Sequence, residues 1–466
     1  MGRADHRTPN DRLRELIRES DWTYEALARA VNTLGASSGL RLRYDRTAIA
    51  QWIRGVRPRP PVPELAAEAL SRKLGRTVTV TDTGLAPAGM PGATLPGSPD
   101  PLVRLGELRE AYLDPVLRES MRRSLLAGDW PSPDWADDGS AGGTGPGGPM
   151  QRPSTGGPPG RIGMGEVDAL EATSRFYNEV WDAFGGGHGT SALAACLADD
   201  VAVWLRSPMA DGVRTALMSR AAELTLRLAL MYFEDGHYGF AQRYLDTAAQ
   251  LARDAGDRTM YVTVLARAAT AARDLGQYRK AAHLADAGQA LLTACDADTV
   301  SFAQGEFAIA YAAVDDVRAA QRCLDSAEQN LSRCTGSSAI AEAQLYTSHW
   351  QRAGVLVFQN RPADVVLALR TTLPRVPQED RRFRVAVVAG TANAQLRLGL
   401  LDEACATLQQ LLPDFSRLRS ADMAGFLGEL LRKVGAFGRA RPVADLLQQA
   451  HGLLPQSPVP ARPYVH

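Results

Sequence analysis

The sequence predicts an all-α chain in two ordered parts: a small N-terminal helical module and, beyond a Pro/Gly-rich linker, a long α-solenoid of stacked helix pairs. Three observations carry that expectation. Short capped amphipathic helices fill roughly the first 76 residues, residues 131–165 hold 11 Gly and 7 Pro, and past Gly165 one six-residue turn recurs at near-regular spacing. At 466 residues the chain has room for about three units of ~150 residues each, so one giant core is not expected.

In the N-terminal module, placed at residues 1–85, the first helix covers Asp11 to Arg18. The second opens at Thr23, whose hydroxyl can cap orphan amides, with Trp22 and Leu27 placed as the N′ and N4 members of a hydrophobic staple. It is expected to run through Val31 and to be followed by a long connection, Asn32 to Tyr44. Asp45 then caps a helix from Arg46 to Arg54 that Gly55 terminates. Ile49, Trp52 and Ile53 share one face of that helix, which must pack inward and leave Arg46, Thr47, Ala50, Gln51 and Arg54 outside. A proline-rich step, Pro58 to Pro63, leads to a last amphipathic helix, Glu64 to Leu74.

Residues 86–165 read as linker. Within it Ala86 to Asp100 is Pro/Gly-rich, and a charged helical stretch from Leu102 to Ala127 is broken at Asp114-Pro115. The Gly/Pro content of 131–165 is too high to bury the apolar surface that would offset ordering entropy, so this part is expected to be disordered.

From 166 to 455 the pattern is helical and repeats. The turn appears as Gly236-His-Tyr-Gly-Phe-Ala241, Gly276-Gln-Tyr-Arg-Lys-Ala281, Asp315-Asp-Val-Arg-Ala-Ala320, Gly399-Leu-Leu-Asp-Glu-Ala404 and Gly435-Ala-Phe-Gly-Arg-Ala440, with a weaker copy near Asn360. Intervals of 40, 39, 45, 39 and 36 residues separate these anchors, the signature of stacked helix pairs that bury their apolar faces only against neighbours. Glycine allows the tight exit, the apolar residue two places on plugs the space between helices, and alanine lets backbones approach. Val167 to Phe233 lacks a clear copy and reads as an atypical first repeat or cap, and 456–466 as a Pro-rich tail. Tyr232, Phe233, Tyr238, Tyr244, Tyr278 and Phe437 are expected in the core.

Charge separates the two ends. The net charge of zero conceals 15 Lys+Arg against 10 Asp+Glu in residues 1–85, and Arg41, Arg43, Arg46, Arg54, Arg57 and Arg59 face only Asp45 across nineteen positions. A polyanion is the natural partner of such a patch.

The module resembles the DNA-binding domain of XRE-type, lambda-repressor-like helix-turn-helix regulators from about Leu13 to Leu74. The residues that carry the likeness are Trp22-Thr-Tyr-Glu-Ala-Leu-Ala28 and Asp45-Arg-Thr-Ala-Ile-Ala-Gln-Trp-Ile-Arg-Gly55. By position the resemblance implies base contacts from Arg46, Thr47 and Gln51. Their chemistry agrees, since Arg grips guanine, Gln grips adenine and Thr serves either role. Phosphate contacts are expected from Thr23, Tyr24, Arg41, Arg43, Arg54, Arg57 and Arg59. The family's short turn is replaced by Asn32 to Tyr44, which either forms a wing or only lengthens the loop.

The repeated turns resemble tetratricopeptide repeats, whose unit is ~34 residues. The pairing of the two domains is similar to that of actinobacterial regulators of the NsdA-like group, with Gly185-Gly-Gly-His188 and Gly236 to Tyr244 among the matching segments. The resemblance implies a transcriptional regulator, usually a repressor, of development or secondary metabolism. Double-stranded DNA is the expected partner of the module, with a peptide or protein in the repeat groove and a possible homodimer; the groove residues stay unassigned. The alternative is an interaction scaffold whose helix-turn-helix no longer binds DNA.

No enzyme, cofactor or metal site is expected. The three lysines, Lys73, Lys280 and Lys433, each follow an arginine, so no P-loop exists. Gly185-Gly-Gly-His188 lacks a preceding strand and a nucleophile signature, and reads as a tight helix connection. The seven histidines show no paired ligand spacing, and the five cysteines are scattered without a CxxC, favouring reduced thiols. Without a secretory leader or an apolar run near ~18 residues, the protein is expected to be soluble and cytoplasmic.

Overall fold

Every regular element among the described residues is helical. The computed structural model describes residues 9–37, 41–59, 61–74, 78, 80, 82–85, 98–122, 162–333, 339–438 and 440–453. Residues 123–161, with most of the low-complexity segment, and the tail 456–466 lie outside them, as does Cys334.

The N-terminal module has four helices: α1 (Asp11–Glu19), α2 (Tyr24–Ser37), α3 (Arg46–Ile53) and α4 (Val62–Leu74). Leu13, Leu16, Leu27, Val31, Ile49, Trp52, Leu65 and Leu70 share one core that extends to Val78 and Leu85 and includes nothing beyond. Asn10 closes it: its Oδ1 accepts from the Leu13 amide at 3.1 Å, and its Nδ2 donates to the Thr83 carbonyl at 2.8 Å. Gly84 has φ +66°, and a Cβ there would collide with the Asn10 side chain.

One boundary differs from expectation. The second helix does not stop at Val31 but continues to Ser37, because Leu34, one turn past Val31, is buried and extends the apolar stripe. Half of the supposed connection is therefore helix.

The stretch assigned to the linker is also different in kind. It forms α5 (Pro101–Leu113) and α6 (Pro115–Arg122), broken at Asp114 as expected, but both pack into the repeat core rather than standing apart. Leu105 and Leu108 are fully buried, and the Tyr112 ring lies 4.9 Å from Tyr232 and 5.3 Å from Phe240. Arg104 donates to Gln250 Oε1 at 2.9 Å.

The repeat part starts with α7 (Met164–Phe184), α8 (Thr190–Ala195), a π-helical turn (Cys196–Val201) and α9 (Ala202–Arg206). Six helical hairpins follow: α10 (Asp211–Glu234) with α11 (Tyr238–Asp254), α12 (Arg258–Asp274) with α13 (Tyr278–Gln289), and α14 (Ala297–Ala312) with α15 (Val317–Leu331). Then come α16 (Ala339–Phe358) with α17 (Pro362–Thr372), α18 (Arg381–Arg397) with α19 (Leu401–Phe415), and α20 (Ala421–Gly435) with α21 (Arg441–Ala450). First helices pack on the first helices of neighbouring hairpins, α10 on α12 and α12 on α14, as stacking requires.

The hairpin turns share one geometry. Gly236, Gly276, Asp315, Asn360 and Gly399 all have positive φ, between 55° and 78°. After each, an amide reaches back five residues, as in His237 to the Tyr232 carbonyl (2.9 Å), Gln277 to Ala272 (2.8 Å) and Arg361 to Leu356 (3.0 Å). This is the Schellman closure that satisfies orphan carbonyls. Five residues after the first four of these anchors and Gly399, small or short apolar side chains, Ala241, Ala281, Ala320, Val365 and Ala404, are buried.

The sixth turn corrects the expected register. Gly435 is the last residue of α20, and the left-handed residue is Gly438, so the apparent shortening of the last repeat disappears. Phe437, expected in the core, is 56% exposed for the same reason, and Val317 is 49% exposed where a plug was expected. Tyr232, Phe233 and Tyr244 are buried, while Tyr238 packs on Phe233 at 5.1 Å and Tyr278 on Phe358 at 5.5 Å.

The two ends of the repeat part meet. The Gly187 amide donates to the Arg419 carbonyl and the Arg419 amide to the Phe184 carbonyl, each at 2.8 Å. The glycine run is what permits this approach: a Cβ on Gly185 would lie 2.7 Å from the Arg419 carbonyl oxygen, and one on Gly186 2.5 Å from that of Met231. Helix α7 packs on α18, closing the stack on itself. No helix among the described residues is long and apolar enough to cross a membrane. Cys196, Cys295, Cys323 and Cys405 are free thiols.

Candidate nucleic-acid interface

Helix α3 is held from both ends. Asp45 Oδ1 accepts from the Ala48 amide at 2.9 Å, and Glu25, from the first turn of α2, accepts from the Arg46 amide at 3.2 Å. Asn32 on α2 grips the residue before the cap twice, donating to the Tyr44 carbonyl and accepting from the Tyr44 amide, both at 2.8 Å. The Tyr44 ring in turn stands edge-on to Trp52, 5.2 Å away. The placement of α3 on α2 thus rests on contacts that bypass the residues between them. Gly55, with φ +92°, ends the helix, and the Val56 amide returns to the Gln51 carbonyl at 3.0 Å.

The inward face is as expected, with Ile49, Trp52 and Ile53 at 0%, 3% and 4% exposure. Arg46, Thr47, Gln51 and Arg54 are exposed, and Ala50 is half-buried. Arg41 and Arg43 are exposed on the strand of chain entering α3, and Arg57 and Arg59 on the one leaving it. At the start of α2, the exposed Thr23 hydroxyl accepts from the Ala26 amide at 3.1 Å, keeping its own proton to donate. Tyr24 is half-buried against the module core.

The six arginines around α3 differ from Arg14, Arg18 and Arg72 of the same module, which pair with Asp11, Glu15 and Glu68. Among the described residues, no carboxylate lies within 4.0 Å of Arg41, Arg43, Arg46, Arg54, Arg57 or Arg59. Their charge is uncompensated within the module, and it surrounds one exposed helix face carrying a bidentate donor and a bidentate amide. Of the insertion, Asn32 to Ser37 is helical and residues 41–45 are irregular; no wing strand is present among the described residues.

The inner face of the repeat stack holds charged residues that the sequence pattern did not single out, including Arg227, Arg267 and Arg382. Helical periodicity reports which side faces a core, and says nothing about which polar residue of an inner helix meets another one hundred residues away.

Residues 13–86 match the model of the family described as the SP15 N-terminal domain, and the match ends one residue past the last buried side chain of the module. No curated protein matches the chain.

Proposed function

We propose that the N-terminal module is an XRE-type helix-turn-helix domain that binds double-stranded DNA, and that the chain is a transcriptional regulator. The observation that supports this reading is the unpaired arginine cluster centred on the exposed face of α3. A major groove ~12 Å wide admits an α-helix, and Arg46, Thr47 and Gln51 face outward together from its first two turns. Thr23, Arg41, Arg43, Arg54, Arg57 and Arg59 flank that face and serve as phosphate contacts, joined by Tyr24, which is half-buried. In this reading the repeat stack takes a peptide or protein partner and pairs two copies on neighbouring half-sites.

A DNA titration across salt concentrations on genomic fragments, including the gene's own promoter, tests the reading. Binding should weaken steeply with salt, and Arg57→Ala or Arg59→Ala should each reduce the log-log slope by about 1 while weakening all sequences alike. No binding at any salt would leave the module as a protein-docking domain of a scaffold.

Base reading has its own signature. Arg46→Ala and Gln51→Ala should each cost about 1–3 kcal/mol on the best site and relax preference at one base pair, as measured with singly substituted operators. Full retention of sequence preference in both variants would exclude α3 as the reading helix.

A further inference from the structure

Three arginines face the interior of the closed repeat stack: Arg227 on α10, Arg267 on α12 and Arg382 on α18. Arg382 is matched. It lies 3.3 Å from Asp182 and 4.0 Å above the Trp181 ring. Burial pushes its pKa down, but Asp380, Glu234 and Asp182 outweigh burial and leave it raised.

The other two are not matched. The Arg227 guanidinium sits 5.0 Å from the Trp181 ring centroid, and that of Arg267 4.5 Å from Phe302. Among the described residues neither guanidinium makes a hydrogen bond or has a carboxylate oxygen within 4.0 Å, and the Arg227 Nε is buried without a partner. The nearby acids are engaged elsewhere. Glu223 accepts from Ser174 (2.6 Å) and Arg220 (2.9 Å), Glu306 from Thr270 (2.6 Å) and Gln351 (3.0 Å), and Asp380 from the Phe383 amide (2.9 Å). Glu234 accepts from the Trp181 indole through Oε2, while its Oε1 is buried without a partner.

Burial lowers Arg227 to about 10 against the opposing pull of Asp182 and Glu223, and lowers Arg267 against that of Glu306, with repulsion among the three arginines the smaller contribution. A half-buried guanidinium that no carboxylate contacts directly gains further stabilisation once an anion enters. Aromatic faces beneath both groups hold them in place without neutralising them. Solvent still reaches the region, since the Arg382 and Asp182 side chains keep 23% and 35% exposure.

We propose that Arg227 and Arg267 form an anion-binding site on the inner face of the repeat stack, taking the carboxylate or phosphate group of a ligand. The site does not depend on DNA binding by the N-terminal module, so either reading can fail alone. A ligand held there touches α10 and α12 and lies beside the Arg382 closure, which couples its binding to the meeting of the two ends.

The test uses the full chain without DNA, titrated separately with inorganic phosphate, pyrophosphate and citrate by calorimetry and thermal shift. At least one of these anions should raise Tm at about 10 mM, as mass action on the folded state requires. The phosphate arms against the citrate arm distinguish the two headgroups. Arg227→Gln and Arg267→Gln should each weaken that binding at least tenfold, about 1.4 kcal/mol, while leaving the ligand-free Tm unchanged or higher. Arg382→Gln, which removes a paired charge, should lower the ligand-free Tm. The proposal is overturned if no anion raises Tm, or if binding survives in both variants. It is equally overturned if Arg227→Gln lowers Tm as far as Arg382→Gln, since Arg227 would then be a structural partner.

Discussion

Trp52→Ala should unfold the N-terminal module and leave the repeat stack intact. Trp52 is 3% exposed, packs edge-on to Tyr44, and sits in a core that contains only residues 13–85. Truncating a buried tryptophan costs about 3–5 kcal/mol, comparable with the whole stability of a module this size at ~0.05–0.15 kcal/mol per residue. One calorimetric transition should therefore shift down by well over 10 °C or vanish, at about 4–8 °C per kcal/mol, while the transition of the repeat stack stays in place. The DNA binding proposed for the module should fall with the first and not the second. A uniform shift of both transitions would mean that the two cores fold as one unit.

The second large effect is expected at the closure of the stack. Arg382→Gln removes the cation that pairs with Asp182 and covers Trp181, two hundred positions away in sequence. Breaking a buried ion pair on one side costs about 3–5 kcal/mol, and the residual exposure of both partners brings the expectation down to about 2–4 kcal/mol. Small-angle scattering should register a larger radius of gyration for the variant, because the contact of α7 with α18 loses its ionic clasp. The backbone hydrogen bonds between Phe184, Gly187 and Arg419 would then carry the closure alone. An unchanged Tm and radius would show that the glycine-mediated contact suffices.

Local chemistry was well expressed in the chain. The caps at Asp45 and Thr23, the buried face of Ile49, Trp52 and Ile53, and the first five left-handed turns all follow from residues within one turn of each other. Asn360 is instructive: it tolerates positive φ through its short polar side chain, so a copy of the turn without glycine keeps the same backbone. The last turn misled because Gly435 and Gly438 both fit the pattern, and only packing of α20 decides between them. What remained invisible was long-range. The docking of α5 on α11, the closure through Arg419 and the unpaired arginines inside the stack join segments whose spacing in sequence has no period. For the interface itself, residue type and face could be read directly, whereas the grip of Asn32 on Tyr44 needed the structure, because a side chain paired with backbone leaves no compositional trace.

The burial of α5 and α6 changes what holds the chain together. Met121 at the end of α6 and Ile162 just before α7 both pack in the repeat core, so the chain belongs to one body on both sides of residues 123–161. Leu85 and Ser98, the described residues on either side of 86–97, can lie no more than about 45 Å apart along a fully extended chain. A cut in 123–161 would leave the N-terminal piece anchored in the repeat core by Leu105, Leu108 and Met121.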